Sequence, residues 1–176
     1  MAIATSRVTV VLLAAGRGER FGGDKLAASF RGRALGEHAA AILAGLPFAA
    51  HIAVTGPSAV DLAALGFDRV RAPADAPMSV SLKLGIAAAA ERDCDACLVA
   101  LADMLLVPAA HIRALLAAHD GALTATLSGE MRMVPALVAR SAFPSIAALS
   151  GDQGARALLR DAPGDAARSS DQPGGR

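Results

Sequence analysis

The sequence predicts a three-layer α/β/α domain built around a mostly parallel β-sheet. Short, continuous apolar runs rich in β-branched residues indicate strands that are buried on both faces. Stretches with apolar residues at helical spacing alternate with these runs through the first two thirds of the chain, as expected for strand–helix–strand units. The length of 176 residues suits one domain with a substantial core.

In the first half of the chain, the clearest predicted element is a strand over 8–13, where every residue is aliphatic or β-branched. A loop rich in glycine and charge follows it. The next predicted elements are a helix over about 35–46, a strand over 51–55, a short helix from a Ser58 cap through Leu65, and a brief strand over 68–71.

In the second half, the clearest predicted helix covers 79–92, where Leu82, Ile86 and Ala89 fall at helical spacing. Residues 161–176 contain no Val, Ile, Leu, Met or Phe. We therefore expect one domain over 1–160 and a disordered tail over 161–176. The other predicted elements are a strand over 97–102, a helix from Pro108 to about 119, strands over 122–127 and 133–138, and helices over 141–149 and 154–160.

The composition argues against several classes of function. The net charge of +1 lacks the basic excess typical of proteins that bind nucleic acid or membrane surfaces, and 3% of aromatic residues offers few platforms for stacking bases. No apolar run is long enough to span a membrane and no signal peptide is recognisable, so we expect a cytoplasmic protein. Cys94 and Cys97 form a single pair, which we interpret as buried structural cysteines.

The loop after the first strand carries the parts of a polyphosphate-binding site. It lies beyond the carboxyl end of a strand, where open α/β sheets bind ligands. Glycines allow a close approach of the backbone to a ligand, and cations supply charge opposite to that of phosphate. A flexible surface loop with solvated charges is the alternative. The residues concerned are Gly16, Gly18, Gly22, Gly23, Arg17, Arg20 and Lys25.

Two common phosphate-binding motifs do not fit this loop. The dinucleotide-binding fingerprint fails because Phe21 stands at its third glycine, and the P-loop fails because Asp24 separates Gly23 from Lys25. The chain has 15 Arg but only two Lys. Lys25 therefore suggests a position where a compact ammonium group meets a phosphate.

Three polar positions elsewhere are candidates for binding, each with a purely structural alternative. Asp103 ends a buried strand, where it can coordinate Mg²⁺ together with phosphate oxygens or merely terminate the strand. Ser79 can cap a helix whose N-terminus also receives ligand groups, or act as a cap alone. Asp152 can be a helix N-cap with Arg156 as its i+4 partner.

Residues 13–25 closely resemble the signature of MobA-like nucleotidyltransferases, Leu-Ala-Ala/Gly-Gly-x-Gly/Ser-x-Arg-Met/Phe-Gly-x-x-Lys. The resemblance implies a Rossmann-like nucleotidyltransferase fold, with Arg20 and Lys25 as catalytic residues that neutralise a triphosphate. The Ala-Ala-Gly form is similar to the cytidylyltransferase branch, which implies CTP rather than GTP. The resemblance also implies nucleotide contacts from Leu13, Ala14, Ala15, Gly16, Arg17 and Gly18.

Residues 78–82 resemble the same family's Gly-Met-Ser-x-Ser-Leu stretch, with Pro77 in place of the glycine. This similarity implies that Met78, Ser79 and Ser81 meet the nucleoside.

Two further segments are similar to this family. The segment around Asp103 resembles its Ala-Asp-Met-Pro segment, with Leu105 in place of the proline, and implies that Asp103 is a catalytic ligand of Mg²⁺. Residues 150–156 resemble the Gly-Asp-x-Gly-Ala-Arg segment of molybdenum cofactor cytidylyltransferases. That resemblance implies that Asp152 and Arg156 bind the acceptor.

The sequence departs from the family's pattern in two places. Met133 and Val134 stand where the family has a glycine and a polar residue near the acceptor. The family's C-terminal Asp-x-Asp-Thr-x-x-Asp segment, which supplies a second metal ligand, has no counterpart in this sequence. Both departures leave open a nucleotide-binding or cofactor-binding carrier or regulator with impaired catalysis.

The resemblance implies that the protein transfers a nucleoside monophosphate, with CMP favoured, from a nucleoside triphosphate to a phosphorylated acceptor and releases pyrophosphate. Molybdopterin is the first acceptor that it suggests, and a sugar phosphate is the alternative. Mg²⁺ is the expected cofactor. The resemblance also suggests a molybdoenzyme or another partner chain as a protein partner, whereas nucleic acid and membranes are not expected.

Overall fold

Two layers of helices cover a mostly parallel β-sheet, as the sequence predicted. The computed structural model describes residues 2–16, 22–105, 107–150, 159 and 167–168. The strands are β1 (Val8–Ala14), β2 (Ser29–Phe30), β3 (Arg33–Ala34), β4 (Ala50–Thr55), β5 (Asp68–Arg71), β6 (Ala96–Leu101), β7 (Leu123–Ser128), β8 (Met131–Ala139) and β9 (Ala167–Arg168). The helices are α1 (Leu35–Ala44), α2 (Met78–Ala90), α3 (Ala109–Ala118) and α4 (Phe143–Ala147).

Seven of the described strands form one sheet in the order β5-β4-β1-β6-β8-β7-β9. Strands β5, β4, β1 and β6 run parallel, β8 is antiparallel to both neighbours, and β9 is parallel to β7. The chain places β4 and β5 on one side of β1 and then crosses to form β6 on the other. The carboxyl end of β1 is therefore a topological switch point, where open α/β sheets bind ligands.

Strand β1 lies at the centre of the core, and all of its residues are buried. Side chains alternate along a strand, so Val10 and Leu12 pack on the side of α1 and α3. Val11 and Leu13 pack on the side of α2 and α4. Burial on both faces explains why the run of apolar residues is continuous.

The segment after β4 differs from its prediction. Instead of a helix from Ser58 through Leu65, the structure has a short 3₁₀ turn, Ala63–Leu65. The Ser58 hydroxyl accepts a hydrogen bond from the amide of Val60 at 3.3 Å and donates one to Asp24 at 2.8 Å. Ser58 therefore stabilises a turn and a distant contact rather than the start of a helix.

The start of α2 also differs, because the helix begins at Met78 with Pro77 in the N-cap position. Pro77 has an extended backbone (φ −64°, ψ 159°), which ends the preceding loop. Ser79 lies inside the first helical turn, so its predicted role as a cap is wrong.

A small hairpin of β2 and β3 was not predicted from the sequence. Its two-residue turn consists of Arg31 (φ 51°) and Gly32 (φ 78°), which both adopt positive φ. Asn-Gly, Asp-Gly and Gly-Gly are the usual signals for such a turn, and Arg31 at the first position leaves only the glycine of that signal in this sequence.

The C-terminal residues are described only at Leu159, which is helical and buried, and in β9. Strand β9 pairs with β7 although the sequence predicted disorder there. Backbone hydrogen bonds to the open edge of β7 form this strand, so it does not need the apolar side chains on which the prediction relied. The rest of the helix predicted over 154–160, and the rest of the tail, lie outside the described residues.

Two features bear on the expectations from composition. Cys94 and Cys97 are buried and unpaired, as predicted, and burial raises the pKa of the Cys97 thiol.

The longest of the described helices has 13 residues, and none of them combines the length and hydropathy needed to cross a membrane.

Gly85 allows α2 to pack closely against the sheet. A Cβ atom at this position would overlap Cγ1 of Val11 and lie 3.2 Å from Cγ2 of Val54. We expect Gly85→Ala to lower the free energy of unfolding by about 1–3 kcal/mol, because one of the packed elements must move. Urea unfolding of the variant and the wild type measures this difference.

Gly45→Ala is the matched control for this prediction. A Cβ atom at Gly45 would lie 3.5 Å from the carbonyl oxygen of Ile42, an ordinary contact, and the φ of −75° suits alanine. This variant should change the free energy of unfolding by less than about 1 kcal/mol. Equal losses in the two variants would contradict the packing role of Gly85.

Candidate active site

A cleft of about 240 Å³ lies at the carboxyl edge of the parallel strands. The ends of β1 and β6, the start of α2 and the loop before β2 form its walls. All but three of the lining residues were predicted as site residues; the three that were missed are Leu26, Ala76 and Leu101. The lining residues are Leu13, Ala14, Ala15, Gly16, Lys25, Leu26, Ala76, Met78, Ser81, Leu101 and Asp103.

Lys25 and Asp103 form an ion pair in this cleft. Nζ of Lys25 donates a hydrogen bond to Oδ2 of Asp103 at 3.3 Å. Their side chains are 40% and 42% exposed, so both groups are accessible to a ligand. The ammonium group can bind a phosphate, and the carboxylate can bind a cation.

Backbone contacts hold Asp103 in a tight turn at the end of β6. The amide of Met104 donates to the carbonyl of Leu101 at 3.3 Å, and the amide of Leu101 donates to the Met104 sulfur at 3.4 Å. The amide of Ala102 donates to the carbonyl of Leu13 at 3.0 Å, which ties the turn to the end of β1. The turn is therefore closed without the proline expected two residues after Asp103.

Leu26 anchors the chain directly after Lys25. Its side chain is buried on the side of α1, and its carbonyl accepts the amide of Gly36 at 2.9 Å. The segments that contain Leu26 and Gly36 approach so closely that a Cβ atom at Gly36 would lie 3.1 Å from Cβ of Leu26. The backbone on this side of Lys25 is thus held against the first turn of α1.

Asp24 anchors the chain directly before Lys25. Its Oδ1 accepts the amide of Ala27 at 3.2 Å, and its Oδ2 accepts the amide of Ala59 at 2.8 Å. The Ser58 hydroxyl lies 2.8 and 2.9 Å from the two carboxylate oxygens. These contacts join the glycine-rich loop to the segment after β4. In the sequence, Asp24 stands out only as the residue that breaks the P-loop pattern.

The surroundings of Asp24 favour its ionised form. Burial alone would raise the pKa of this carboxyl, but hydrogen bonds from the amide of Ala59, the hydroxyl of Ser58 and the amides of Ala27 and Leu26 lower the pKa below its usual value. The stabilisation from these bonds is present above the ordinary carboxyl pKa and is lost as the pH falls through the lowered value.

The first turn of α2 forms another side of the cleft. Met78 is 47% exposed at its rim, and the buried Ser81 lines its wall. A helix N-terminus presents amide hydrogens and a partial positive charge, which suit a polar or anionic ligand. Ser79 is buried but does not line the cleft, so its contact with a nucleoside stays a prediction.

The remaining predicted site residues lie outside the described residues. They are Arg17, Gly18 and Arg20 of the glycine-rich loop and the expected acceptor residues Asp152 and Arg156.

The β7–β8 hairpin contains the departure at Met133 and Val134. Met133 is 40% exposed and Met131 is 71% exposed, whereas Val134 packs partly against the core on the side of α2. The replacement of a polar residue by Val134 thus adds apolar packing at this end of β8.

The sequence matches the family model of the MobA-like NTP transferase domain over residues 10–168. The chain belongs to this family. It is a nucleotidyltransferase, and the fold implied by the resemblance of the glycine-rich loop is confirmed. No curated protein matches the sequence of this MobA-like transferase.

Solved structures share the fold of this MobA-like transferase. A homologue of Mycobacterium tuberculosis Rv0371c from Mycobacterium sp. strain JC1 is 26% identical, with a TM-score of 0.73, and the match covers 94% of this chain and 86% of that chain. Rv0371c from M. tuberculosis H37Rv in complex with manganese is 23% identical, with a TM-score of 0.71 and coverage of 93% and 87%. The 2-C-methyl-D-erythritol 4-phosphate cytidylyltransferase from Thermus thermophilus is 18% identical, with a TM-score of 0.64 and coverage of 98% and 90%.

We expect this MobA-like transferase to keep its stability without the Lys25–Asp103 ion pair. Lys25→Met and Asp103→Asn should each change the free energy of unfolding by less than about 1 kcal/mol, because solvent-exposed ion pairs contribute about 0–1 kcal/mol. Urea unfolding of each variant checks this. A loss above about 2 kcal/mol in either one would show that the pair is part of the structural framework.

Proposed function

We propose that this MobA-like transferase moves a nucleoside monophosphate, with CMP preferred, from a nucleoside triphosphate to a phosphorylated acceptor and releases pyrophosphate. The observation that carries the proposal is the pair of opposite charges, Lys25 and Asp103, in one cleft at the switch point of the sheet. Transfer between phosphates depends on positioning and on charge stabilisation, which these two groups are suited to supply.

The lysine and the loop around it bind the triphosphate in this proposal. Lys25 contacts phosphate oxygens and offsets the negative charge that develops on the leaving pyrophosphate. Gly16 lines the cleft beside it, where a backbone amide can approach a phosphate closely. The family resemblance adds Arg17, Gly18 and Arg20 to this set.

The nucleoside lies between the end of β1 and the start of α2 in this proposal. Leu13, Ala14 and Ala15 form one wall of the cleft, and Met78 and Ser81 form the other. The Ala-Ala-Gly form of the loop supports cytidine as the base. The fold shared with a cytidylyltransferase from T. thermophilus is consistent with this preference.

The carboxylate of Asp103 fits a divalent cation. It offers an oxygen ligand in the cleft, and Mg²⁺ binds oxygen ligands while it keeps several waters. The described part of the chain contains no group of three or more His, Cys, Asp or Glu side chains that could hold a metal. Phosphate oxygens and water would complete the coordination beside Asp103, and a bound Mg²⁺ would supply polarisation of the phosphate that reacts. Manganese in the Rv0371c structure supports a divalent metal in this fold.

The chemistry is an in-line displacement at the α-phosphorus. An oxygen of the acceptor phosphate forms a bond to that phosphorus, the bond to the bridging oxygen breaks, and pyrophosphate leaves with the electron pair. Molybdopterin is the first acceptor to test, with Asp152 and Arg156 as its proposed contacts. Pyrophosphate release only with a sugar phosphate would identify that compound as the acceptor instead.

Thermal unfolding with CTP, GTP, ATP and UTP, each with and without Mg²⁺, tests nucleotide binding. Ligand at 100 times its dissociation constant adds about 2.7 kcal/mol of stability, which is a shift of roughly 5–10 °C for a chain of this size. We expect the largest shift with CTP and Mg²⁺. An extrinsic dye reports unfolding because the chain has no Trp and no Tyr.

The controls for this measurement are each nucleotide without metal and Mg²⁺ alone. A lack of any shift with all four nucleotides would overturn the proposed function. A shift with CTP but no release of pyrophosphate with any acceptor would instead indicate a nucleotide-binding carrier.

The roles of the two charged groups can be separated by substitution. Asp103→Ala should abolish the Mg²⁺-dependent part of the CTP shift, because the carboxylate that contacts the cation is lost. Lys25→Arg should weaken the shift, because a guanidinium group is larger than the compact ammonium group. Asp68→Ala is the control, since Asp68 forms an exposed ion pair with Arg92 at 2.8 Å outside the cleft. An unchanged CTP shift in Asp103→Ala would refute the metal assignment.

A further inference from the structure

We propose that Asp24 is a positioning residue for nucleotide binding, which holds Lys25 in the cleft through its contacts with Ser58 and Ala59. The inference rests on the proposed nucleotide site and extends it to residues that no motif of the family resemblance assigned. Asp24 need not touch the nucleotide for this role.

Gly22 and Gly23, the two residues directly before Asp24, offer little restraint of their own. Gly22 and Gly23 are exposed, Gly22 has a φ of +77°, and apart from their chain neighbours no described residue lies within 4 Å of the position that a Cβ would occupy at either glycine. Glycine backbone in open space samples many conformations. Within the described part of this loop, Asp24 is therefore the residue at which the chain is first fastened to the domain.

Hydrogen bonds fasten Asp24 to the segment that directly follows β4. The amide of Val60 donates to the Ser58 hydroxyl at 3.3 Å, and this hydroxyl donates to Asp24 at 2.8 Å. The amide of Ala59 donates directly to Asp24 at 2.8 Å. Because this segment follows β4, which pairs with β1, Asp24 is held relative to the strand whose end lines the cleft.

Lys25 is consequently the middle residue of three, with an anchored neighbour on each side. Asp24 is held by the contacts after β4, and Leu26 is held by burial and by the amide of Gly36. Only the torsions of the lysine side chain remain free to adjust to a phosphate. A group positioned in this way loses less conformational freedom on binding and so binds more tightly.

The first test compares the affinity for Mg²⁺–CTP, measured by calorimetry, in the wild type and two variants of Asp24. Asp24→Ala removes both carboxylate oxygens that accept hydrogen bonds from Ser58, Ala59 and Ala27, and we expect about tenfold weaker binding of Mg²⁺–CTP. Asp24→Asn should weaken binding at least as much, because either orientation of the amide places an N–H₂ group against the amide of Ala27 or Ala59. Ser58→Ala keeps the direct backbone contacts, so a smaller loss of about threefold is expected.

A double-mutant cycle with Lys25→Met separates positioning from general structural damage. If Asp24 acts through Lys25, adding Asp24→Ala to Lys25→Met should change the affinity by less than about twofold. Equal losses in the two backgrounds would refute the proposal. Thermal-shift titration extends the measurement to the weaker affinities of the Lys25 variants.

Asp61→Ala is the matched control. Asp61 is also an exposed carboxylate after β4, and it accepts the amides of Ala63 and Ala64 at 3.1 and 3.4 Å, with no hydrogen bond to the described residues of the loop. This variant should bind Mg²⁺–CTP as the wild type does. If Asp24→Ala does not fold, the affinity of Ser58→Ala for Mg²⁺–CTP tests the proposal instead. An affinity equal to that of the wild type in Ser58→Ala would also refute the proposal.

The outcomes also separate this inference from the proposed function. A wild-type protein that binds no nucleotide overturns the proposed function and the inference with it. A wild type that binds Mg²⁺–CTP, weaker binding in Lys25→Met and unchanged binding in Asp24→Ala would leave the function in place and remove the role of Asp24.

Discussion

The parallel register between β1 and β6 determines where the candidate active site forms. Leu13 is in register with Leu101, so the chain segments that leave these two strands emerge side by side, and one of them carries Asp103. A shift of one residue would displace Asp103 by about 3.3 Å and reverse the faces of the β6 side chains. Tight packing on both faces of β1, including the contact between Gly85 and Val11, opposes such a shift. The position of the carboxylate is therefore a consequence of the core.

The larger elements of the fold were predictable because each is determined by its own residues. A continuous run of β-branched and aliphatic residues is sufficient to predict β1, and apolar residues at helical spacing predict α2. Strands β2, β3 and β9 have two residues each and depend on backbone pairing. Strands β2 and β3 depend on a turn whose residues have positive φ, and β9 depends on the edge of β7 that faces away from β8. A pattern of apolar side chains carries no information about such pairing.

The candidate site also combines residues that a local sequence pattern predicts with a contact that exists only in the folded chain. Lys25 and Asp103 were predicted because each follows a buried strand in a pattern that resembles a known motif. The contact between Asp24 and Ser58 was not predicted, since the two residues are 34 positions apart and the contact exists only in the folded chain. A local signal was present, because an Asp can accept the amide three residues ahead in a turn, as Asp24 does with Ala27. That signal indicates a turn but does not identify the distant partner.

The two buried thiols have a practical consequence for a chain that lacks Trp and Tyr. Cys97 lies inside β6 and Cys94 precedes it, so a thiol reagent reaches them only when this part of the sheet opens. Burial raises the pKa of the Cys97 thiol, which keeps it in the unreactive protonated form while the sheet is closed. The rate of alkylation under native conditions is thus an intrinsic measure of how often the central strands separate. Bound nucleotide would slow this rate by the same factor by which it suppresses opening.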